Sequence, residues 1–193
     1  MTFASTITKE EVIRMPLERF AGQIVIVETK EALIEAISCL SSSKVIGFDT
    51  ETRPNFTKDS HHRLSLMQLA NHDTCFLIRL NNLKWIPSRL VTFLNNRKIK
   101  KIGLSLQDDF LQLRWLSYLP PDIFIDLQKY VSNFGIEELS LRKIYALLFG
   151  KRISKRQQKS NWDALTLSDD QMNYAALDAW SCLRIYQYLE QSR

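Results

Sequence analysis

The stretch Lys44-Val45-Ile46-Gly47-Phe48-Asp49-Thr50-Glu51 decides how this chain folds. Its apolar residues have high β propensity, and such a run is typical of a strand that is buried on both faces. The run ends on Asp49 and Glu51, and residues two apart in an extended chain point to the same side of a sheet. Two carboxylates in one small volume repel each other and are costly to bury. They indicate either a divalent cation with oxygen ligands, meaning magnesium or manganese, or an ordinary solvated strand end.

Strand and helix patterns alternate on both sides of this stretch. Apolar and β-branched runs predict strands over residues 23–27, 64–70, 74–80, 98–104 and 123–127. Apolar residues at helical spacing predict helices over residues 30–40, 87–96, 106–118, 136–149 and 168–191. The short polar turn Asn71-His72-Asp73 is typical of an antiparallel hairpin. We therefore predict an α/β fold, with a mixed β-sheet flanked by helices.

Length and charge narrow the class of protein. The 193 residues are enough for one domain with a substantial core, and we expect a single domain over 1–193, with an N-terminal arm at 1–20 and a core at about 22–190. The net charge of +5 is compatible with a nucleic-acid partner without requiring one. A chain that clusters acids and is still basic must concentrate positive charge elsewhere.

Cysteine usage and apolar runs bear on the compartment. Cys39, Cys75 and Cys182 are odd in number and far apart, so we predict reduced thiols in or near the core. The N-terminus lacks the basic start and apolar core of a secretory signal, and no apolar run reaches transmembrane length. We expect an intracellular, soluble protein of the cytoplasm that has no membrane partner.

Two further motifs add candidate ligands. Tyr174 and Asp178 are four residues apart, so they stack on one face of the last predicted helix. Asp108 and Asp109 open the helix that follows the strand ending near Gly103. Each motif also has an ordinary explanation, because a surface Asp beside a half-buried Tyr is common and the helix dipole favours acids at a helix start. A two-metal site needs about four carboxylates, and these motifs would supply the missing two.

In this order along the chain, the motifs resemble the DEDD superfamily of 3′–5′ exonucleases, in its tyrosine-bearing subgroup. Within this superfamily, the sequence looks most like ribonuclease D and the exonuclease domains of Werner-type proteins. The resemblance covers roughly residues 22–190 and includes the run 64–69 and Ser160-Asn161-Trp162. It implies a ribonuclease H-like fold and two Mg²⁺ or Mn²⁺ ions. It also implies hydrolysis of phosphodiester bonds at a free 3′ end of DNA or RNA, with release of nucleoside monophosphates.

The resemblance also implies roles for individual residues. Tyr174 would orient the attacking water. For the second motif, Asp109 is preferred to Asp108 because the family spacing counted from Gly103 reaches Asp109. The implied metal ligands are four acids: Asp49, Glu51, Asp109 and Asp178.

The segment 151–159 is the main basic stretch of the chain. We predict that it follows the backbone phosphates of nucleic acid, although a solvated charged loop has the same composition. Its five basic residues are Lys151, Arg152, Lys155, Arg156 and Lys159. His61-His62, in the polar loop 52–63, are predicted to be loop residues and not metal ligands.

Two other functions fit parts of the pattern. The same fold could be a catalytically silent module that docks nucleic acid or protein through its basic segment. Intact acids argue against that alternative, since only metal ions require all of them. A small-molecule phosphohydrolase is disfavoured because the chain has no Gly-rich phosphate loop.

Overall fold

A computed structural model describes residues 2–52, 64–83, 87–113 and 119–193. Within these ranges the strands are β1 Gln23–Val27, β2 Val45–Thr52, β3 Leu64–Ala70, β4 Thr74–Arg79, β5 Lys100–Gly103 and β6 Phe124–Asp126. The helices are α1 Lys9–Arg14, α2 Lys30–Leu40, α3 Leu80–Leu83, α4 Ser88–Leu94, α5 Gln107–Leu113, α6 Leu127–Tyr130, α7 Leu141–Phe149 and α8 Asp169–Gln191. The predicted loop with His61-His62 and the end of the helix predicted over 106–118 lie outside the described residues.

All six strands form one sheet in the order β1-β4-β3-β2-β5-β6. β3 runs antiparallel to its neighbours β2 and β4, and the other adjacent pairs are parallel. The predicted hairpin and mixed sheet are therefore confirmed. β2 lies between β3 and β5, which explains why its sequence is a continuous apolar run before the acids.

The sheet separates two hydrophobic layers. One layer packs β-strand residues such as Leu66 and Ile102 against α8 and α7. The other packs residues such as Phe48 and Met67 against α2 and α4. Because both faces are covered, the only strongly polar side chains of β2 stand at its carboxyl end, where the layers open.

α8 crosses the sheet at very close range. It begins with the predicted capping box. The Ser168 side chain accepts a hydrogen bond from the Gln171 backbone N–H, and the Gln171 side chain accepts one from the Ser168 backbone N–H. A Cβ atom added at Gly47 would lie 1.9 Å from the carbonyl oxygen of Ala179. Glycine on β2 and alanine on α8 thus let the helix lie directly against the strand that carries the acids.

The helix predicted over 136–149 starts later than expected. α7 begins at Leu141, because the Ser140 side chain accepts from the Lys143 backbone and caps the helix there. Residues 136–140 are held in a non-helical path, in which Glu138 accepts from the Ile7 backbone at 2.9 Å. The predicted end is confirmed, since Gly150 closes α7 at a φ of 62°.

Smaller differences concern single residues. Pro87 occupies the N-cap position just before α4, and not the first turn as predicted. Leu80 begins α3 instead of ending a strand. Cys39 is exposed, contrary to the prediction of three thiols in or near the core, whereas Cys75 and Cys182 are buried. None of the helices within the described residues combines the length and apolar character needed to cross a membrane.

Candidate metal centre

Three carboxylates meet where β2 ends beneath α8. Asp49 and Glu51 leave the same face of the strand, and Asp178 comes from the helix that lies against it. One carboxylate oxygen from each residue lies within 4.8 Å of the other two. This separation suits oxygen ligands that share one or two small cations.

Burial and mutual repulsion disfavour the charged forms of these acids. Burial, followed by the charges of Asp178, Glu51 and Asp109, raises the pKa of Asp49 well above its usual range. Burial and the charges of Asp178 and Asp109 raise the pKa of Glu51 to about 9. Burial raises the pKa of Asp178 to about 7, against the opposing effect of a hydrogen bond from Tyr174.

The donor set fits a divalent metal ion. Within the described ranges, no lysine or arginine forms an ion pair with Asp49, Glu51 or Asp178. Three acids gathered without a protein cation must either hold protons or bind an external cation. All the donors are hard carboxylate oxygens, the ligands that Mg²⁺ and Mn²⁺ prefer.

Asp109 stands beside this cluster and not inside it. Thr50 lies on the opposite side of β2 from Asp49, and its hydroxyl donates a hydrogen bond to the Asp109 carboxylate. Burial raises the pKa of Asp109 to about 6, while the Thr50 hydrogen bond lowers it. Its charge also acts on Asp49 and Glu51, whereas Asp108 is exposed. The geometry therefore favours Asp109 as the fourth acid.

The turn between β5 and α5 determines where Asp109 lies. Asp126, at the end of β6, accepts from the backbone of Ser105 at 3.0 Å and of Leu106 at 3.1 Å. Ser105 has a φ of 58°, a left-handed conformation that is uncommon for a residue with a side chain. The Asp126 carboxylate stabilises this turn and so directs the first turn of α5 toward the end of β2.

Tyr174 completes the group from α8. It lies one helical turn before Asp178 and donates a hydrogen bond to that carboxylate. Burial, and then the charges of Asp178 and Glu51, raise the pKa of the phenol above its usual range. Its ring packs on the buried Trp162 with centroids 6.0 Å apart. The hydroxyl is thus a fixed, protonated donor at the edge of the cluster.

A cavity of about 370 Å³ opens onto the acids. Its volume is in the range of small-ligand pockets. It also contains the thiol of Cys182, whose pKa is raised well above its usual range by burial and by Asp49, so this thiol is not a reactive thiolate. The lining residues from outside the acid motifs include Leu104, Leu139, Arg142, Ser154, Lys155 and Gln158.

Sequence reasoning missed Arg142 and Gln68 as neighbours of the acids. Arg142 lies in the first turn of α7 and lines the cavity, but nothing in the sequence pattern distinguishes it from a surface arginine. Gln68 lies directly opposite Asp49 on β3 and is fully buried. Among the described residues neither of its side-chain polar atoms has a hydrogen-bond partner. The amide side chain of Gln68 within the mainly apolar run 64–69 was the available signal.

The predicted basic segment divides into two parts. Lys151 pairs with Glu18 at 3.0 Å, and the Arg152 side chain donates to the Met15 carbonyl at 3.0 Å. These two cations therefore bind the N-terminal segment. Lys155, Arg156 and Lys159 are exposed, and Lys155 lines the acid cavity. Arg156 lines an adjoining pocket of about 190 Å³ that shares Ser154 and Tyr174 with that cavity.

Comparison with known proteins adds a family to this geometry. A family model described as 3′–5′ exonuclease matches residues 24–192. The mouse bifunctional 3′–5′ exonuclease/ATP-dependent helicase WRN is 30% identical over 188 residues, which are 91% of this chain and 13% of that protein. The exonuclease 3′–5′ domain-containing protein 2 of Drosophila melanogaster is 31% identical over 164 residues, 83% of this chain and 28% of that protein. The chain thus spans less than a third of the length of either relative.

Solved structures support the same fold. The Nibbler EXO domain of Aedes aegypti superposes with a TM-score of 0.77 at 25% identity, covering 97% of this chain and 92% of that one. Escherichia coli RNase D superposes with a TM-score of 0.75 at 24% identity, covering 88% of this chain and 46% of that one. The predicted ribonuclease H-like fold is confirmed.

Proposed function

Because this chain belongs to the 3′–5′ exonuclease family, we propose that it hydrolyses the terminal phosphodiester bond at the 3′ end of DNA or RNA and releases nucleoside monophosphates. The observation that carries this proposal is the cluster of Asp49, Glu51 and Asp178 at the edge of an open cavity. The family assignment supports a nucleic-acid substrate, and the cluster supports hydrolysis.

The proposed cofactor is a pair of Mg²⁺ or Mn²⁺ ions. In this proposal Asp49 would contribute to holding both ions, Glu51 and Asp178 would hold the ion that supplies the attacking water, and Asp109 would support the other from beside the cluster. When bound, such ions supply a water of lowered pKa and neutralise the charge that develops on the leaving oxygen.

The protein's own groups bind and orient the substrate in this proposal. The Tyr174 hydroxyl stays protonated and donates its hydrogen toward Asp178. The phenol oxygen can therefore accept a hydrogen bond from the attacking water and orient it. Lys155 and Arg142 place positive charge on the wall of the cavity, where a backbone phosphate would lie. Leu104 and Leu139 give that wall an apolar part suited to a sugar or base.

The silent-module alternative has no observation of its own in its favour. Asp49, Glu51, Asp109, Tyr174 and Asp178 are all present and the cavity beside them is open. We also propose that the protein works in the cytoplasm, supported by three cysteines that are free. Imaging or fractionation of a tagged protein tests that location.

Digestion of a single strand labelled at its 5′ end tests the activity. We expect a ladder that shortens one nucleotide at a time with Mg²⁺ or Mn²⁺, and no digestion in chelator. Asp49→Ala and Asp178→Ala should each lower turnover by roughly 10²-fold or more without unfolding the protein. Cleavage of a circular single strand, or full activity of either variant, would contradict the proposal.

A further inference from the structure

A second groove, of about 790 Å³, lies at the opposite end of the central strands from the acids. It is formed where α2 ends at Ser41–Ser43, where β2 and β5 begin, and where α8 approaches its carboxyl end. The only carboxylate among its described lining residues is Glu190. Four basic side chains line it: Lys44, Arg97, Lys98 and Lys100.

The carboxylate in this groove is already engaged. Glu190 accepts hydrogen bonds from Tyr130 and Tyr186, and Arg193 pairs with it at 3.1 Å. Outside the lining, Asp122 pairs with Arg97 at 2.5 Å. With these neighbours included, five basic side chains face two carboxylates, so the groove keeps a net positive charge.

The remaining lysines are available to an anion. Lys100 is directed into the groove by a hydrogen bond of 3.1 Å to the Tyr186 hydroxyl, which also raises the pKa of the Lys100 amine. Lys44 and Lys98 are exposed, and within the described residues their amines have no hydrogen-bond or ion-pair partner. Three ammonium groups can therefore contact an anion without first breaking a salt bridge.

We propose that this groove binds the phosphate backbone of the substrate nucleic acid at a distance from its 3′ end. The inference rests on the proposed function, which supplies a polyanionic substrate. Among the described residues, the groove holds three lysine ammonium groups that form no salt bridge, at the end of the central strands away from the acids. Lysine ammonium groups make phosphate contacts that carry no sequence information, so the groove would add affinity and not base specificity.

The length of α8 sets the length of substrate that can reach both sites. From Asp178 to Tyr186 and to Gln191 the helix rises by about 12 Å and about 20 Å, at 1.5 Å per residue. One strand with B-form spacing carries a phosphate about every 3.4 Å, so about four to six nucleotides bridge the two sites. Substrates shorter than this should occupy the acid cavity alone.

Initial rates and binding on short and long substrates test the groove. The variant Lys44→Gln/Lys98→Gln/Lys100→Gln should lose about tenfold in kcat/KM on a strand of about 20 nucleotides, and its log–log salt slope should fall by about two to three. On a strand of about 2 nucleotides, which is too short to reach the groove from the acids, it should match the wild type. Fluorescence anisotropy of the long strand in EDTA should show the same loss of affinity.

A matched variant controls for net charge. Lys9→Gln/Arg14→Gln/Arg89→Gln removes the same charge from exposed positions outside both pockets, and it should leave the long-substrate advantage intact. If the groove variant proves unstable by thermal melting, Lys98→Gln alone should give a smaller loss in the same direction.

The outcomes separate the groove from the activity. Hydrolysis by the wild type with no difference between the groove variant and the charge control would overturn the groove and leave the proposed function standing. An equal loss on short and long strands would also overturn it. If the wild type hydrolyses nothing, the proposed function fails, and anisotropy in EDTA still decides whether the groove binds nucleic acid. Equally tight binding of polyglutamate there would overturn a nucleic-acid site.

Discussion

At the scale of single residues, Tyr174 and Asp178 form the most informative pair. The hydroxyl of Tyr174 and the carboxylate of Asp178 meet within one helical turn; Asp178 belongs to the acid cluster and Tyr174 lies at its edge. The high pKa of the phenol means that Tyr174 keeps its proton at neutral pH. In the proposed reaction, Tyr174 would therefore orient the attacking water by hydrogen bonding and would not remove its proton.

Tyr174→Phe removes this hydroxyl and keeps the ring that packs on Trp162. We expect the melting temperature to change little, because the buried ring contacts remain. Turnover should fall by roughly 10²-fold, since poor positioning of a reacting group by about 1 Å can cost that much. Single-turnover kinetics with saturating metal measure the effect. Wild-type rates in the variant would make Tyr174 a structural residue only.

At the scale of elements, the N-terminal segment is joined to the basic segment. Leu17 and Arg152 form an isolated parallel bridge, and the Arg152 carbonyl accepts from the Glu18 backbone at 2.9 Å. Glu18 is 8% exposed and contacts Lys151, Arg184 and Tyr145 at 3.0, 3.0 and 2.7 Å. The start of the segment 151–159 is thereby held in place, and Ser154 and Lys155 follow directly into the acid cavity.

Glu18→Gln should loosen this junction. Loss of the charge leaves Lys151 and Arg184 without their anion, and since both are partly exposed we expect a loss of about 1–2 kcal/mol, or about 2–8 °C in melting temperature. KM should rise several-fold with little change in kcat, because Lys155 is positioned less well. Steady-state kinetics and thermal melting measure both effects.

Glu10 provides the matched control, since it is an exposed acid of α1. Glu10→Gln removes the same charge and should change neither KM nor melting temperature. A Glu18→Gln variant that melts earlier but has wild-type KM would reduce the junction to a purely structural role.

At the scale of the whole molecule, the acid cluster lowers stability in the absence of metal. The pKa values of Asp109, Asp178 and Glu51 are raised by burial to about 6, 7 and 9, whereas unfolded carboxyls titrate near pH 4. A group with a raised pKa in the folded state contributes stability that is complete below its unfolded pKa and is lost as pH rises through its folded pKa. The metal-free protein should therefore become less stable between about pH 4 and pH 9.

Thermal melting from pH 6 to pH 9 in chelator measures this effect. The wild type should melt at progressively lower temperature, and saturating Mg²⁺ or Mn²⁺ should restore more stability at high pH than at low pH. Asp49→Asn removes one charge from the cluster, so at pH 9 without metal it should be more stable by about 1–2 kcal/mol, or about 2–8 °C. A flat profile for the wild type would contradict the assigned protonation of these acids.

The charges of the molecule are arranged along the central strands and α8. Acids gather where β2 ends, and basic side chains gather where β2 and β5 begin. This arrangement agrees with the expectation that a basic chain with an acid cluster concentrates its positive charge elsewhere. The predicted location, 151–159, supplies only part of it, since Lys151 and Arg152 are bound to the N-terminal segment.

The sequence by itself determined the features that depend on backbone periodicity. Alternation along a strand places Asp49 and Glu51 on one side of β2, and one helical turn places Tyr174 above Asp178. Local capping chemistry at Ser168 and Gly150 likewise predicted where α8 begins and α7 ends. These features follow from the sequence because each depends on residues that are neighbours along the chain.

Tertiary structure alone decided which side chains from distant segments meet. The burial of Gln68 opposite Asp49, the pairing of Glu18 with Lys151, and the entry of Arg142 into the cavity all join separate elements. The basic groove is likewise assembled from residues near 44, 98 and 186. Such contacts have no local signature, because a lysine or glutamine has the same intrinsic propensity whether the packed chain buries it, pairs it or leaves it free to bind a ligand.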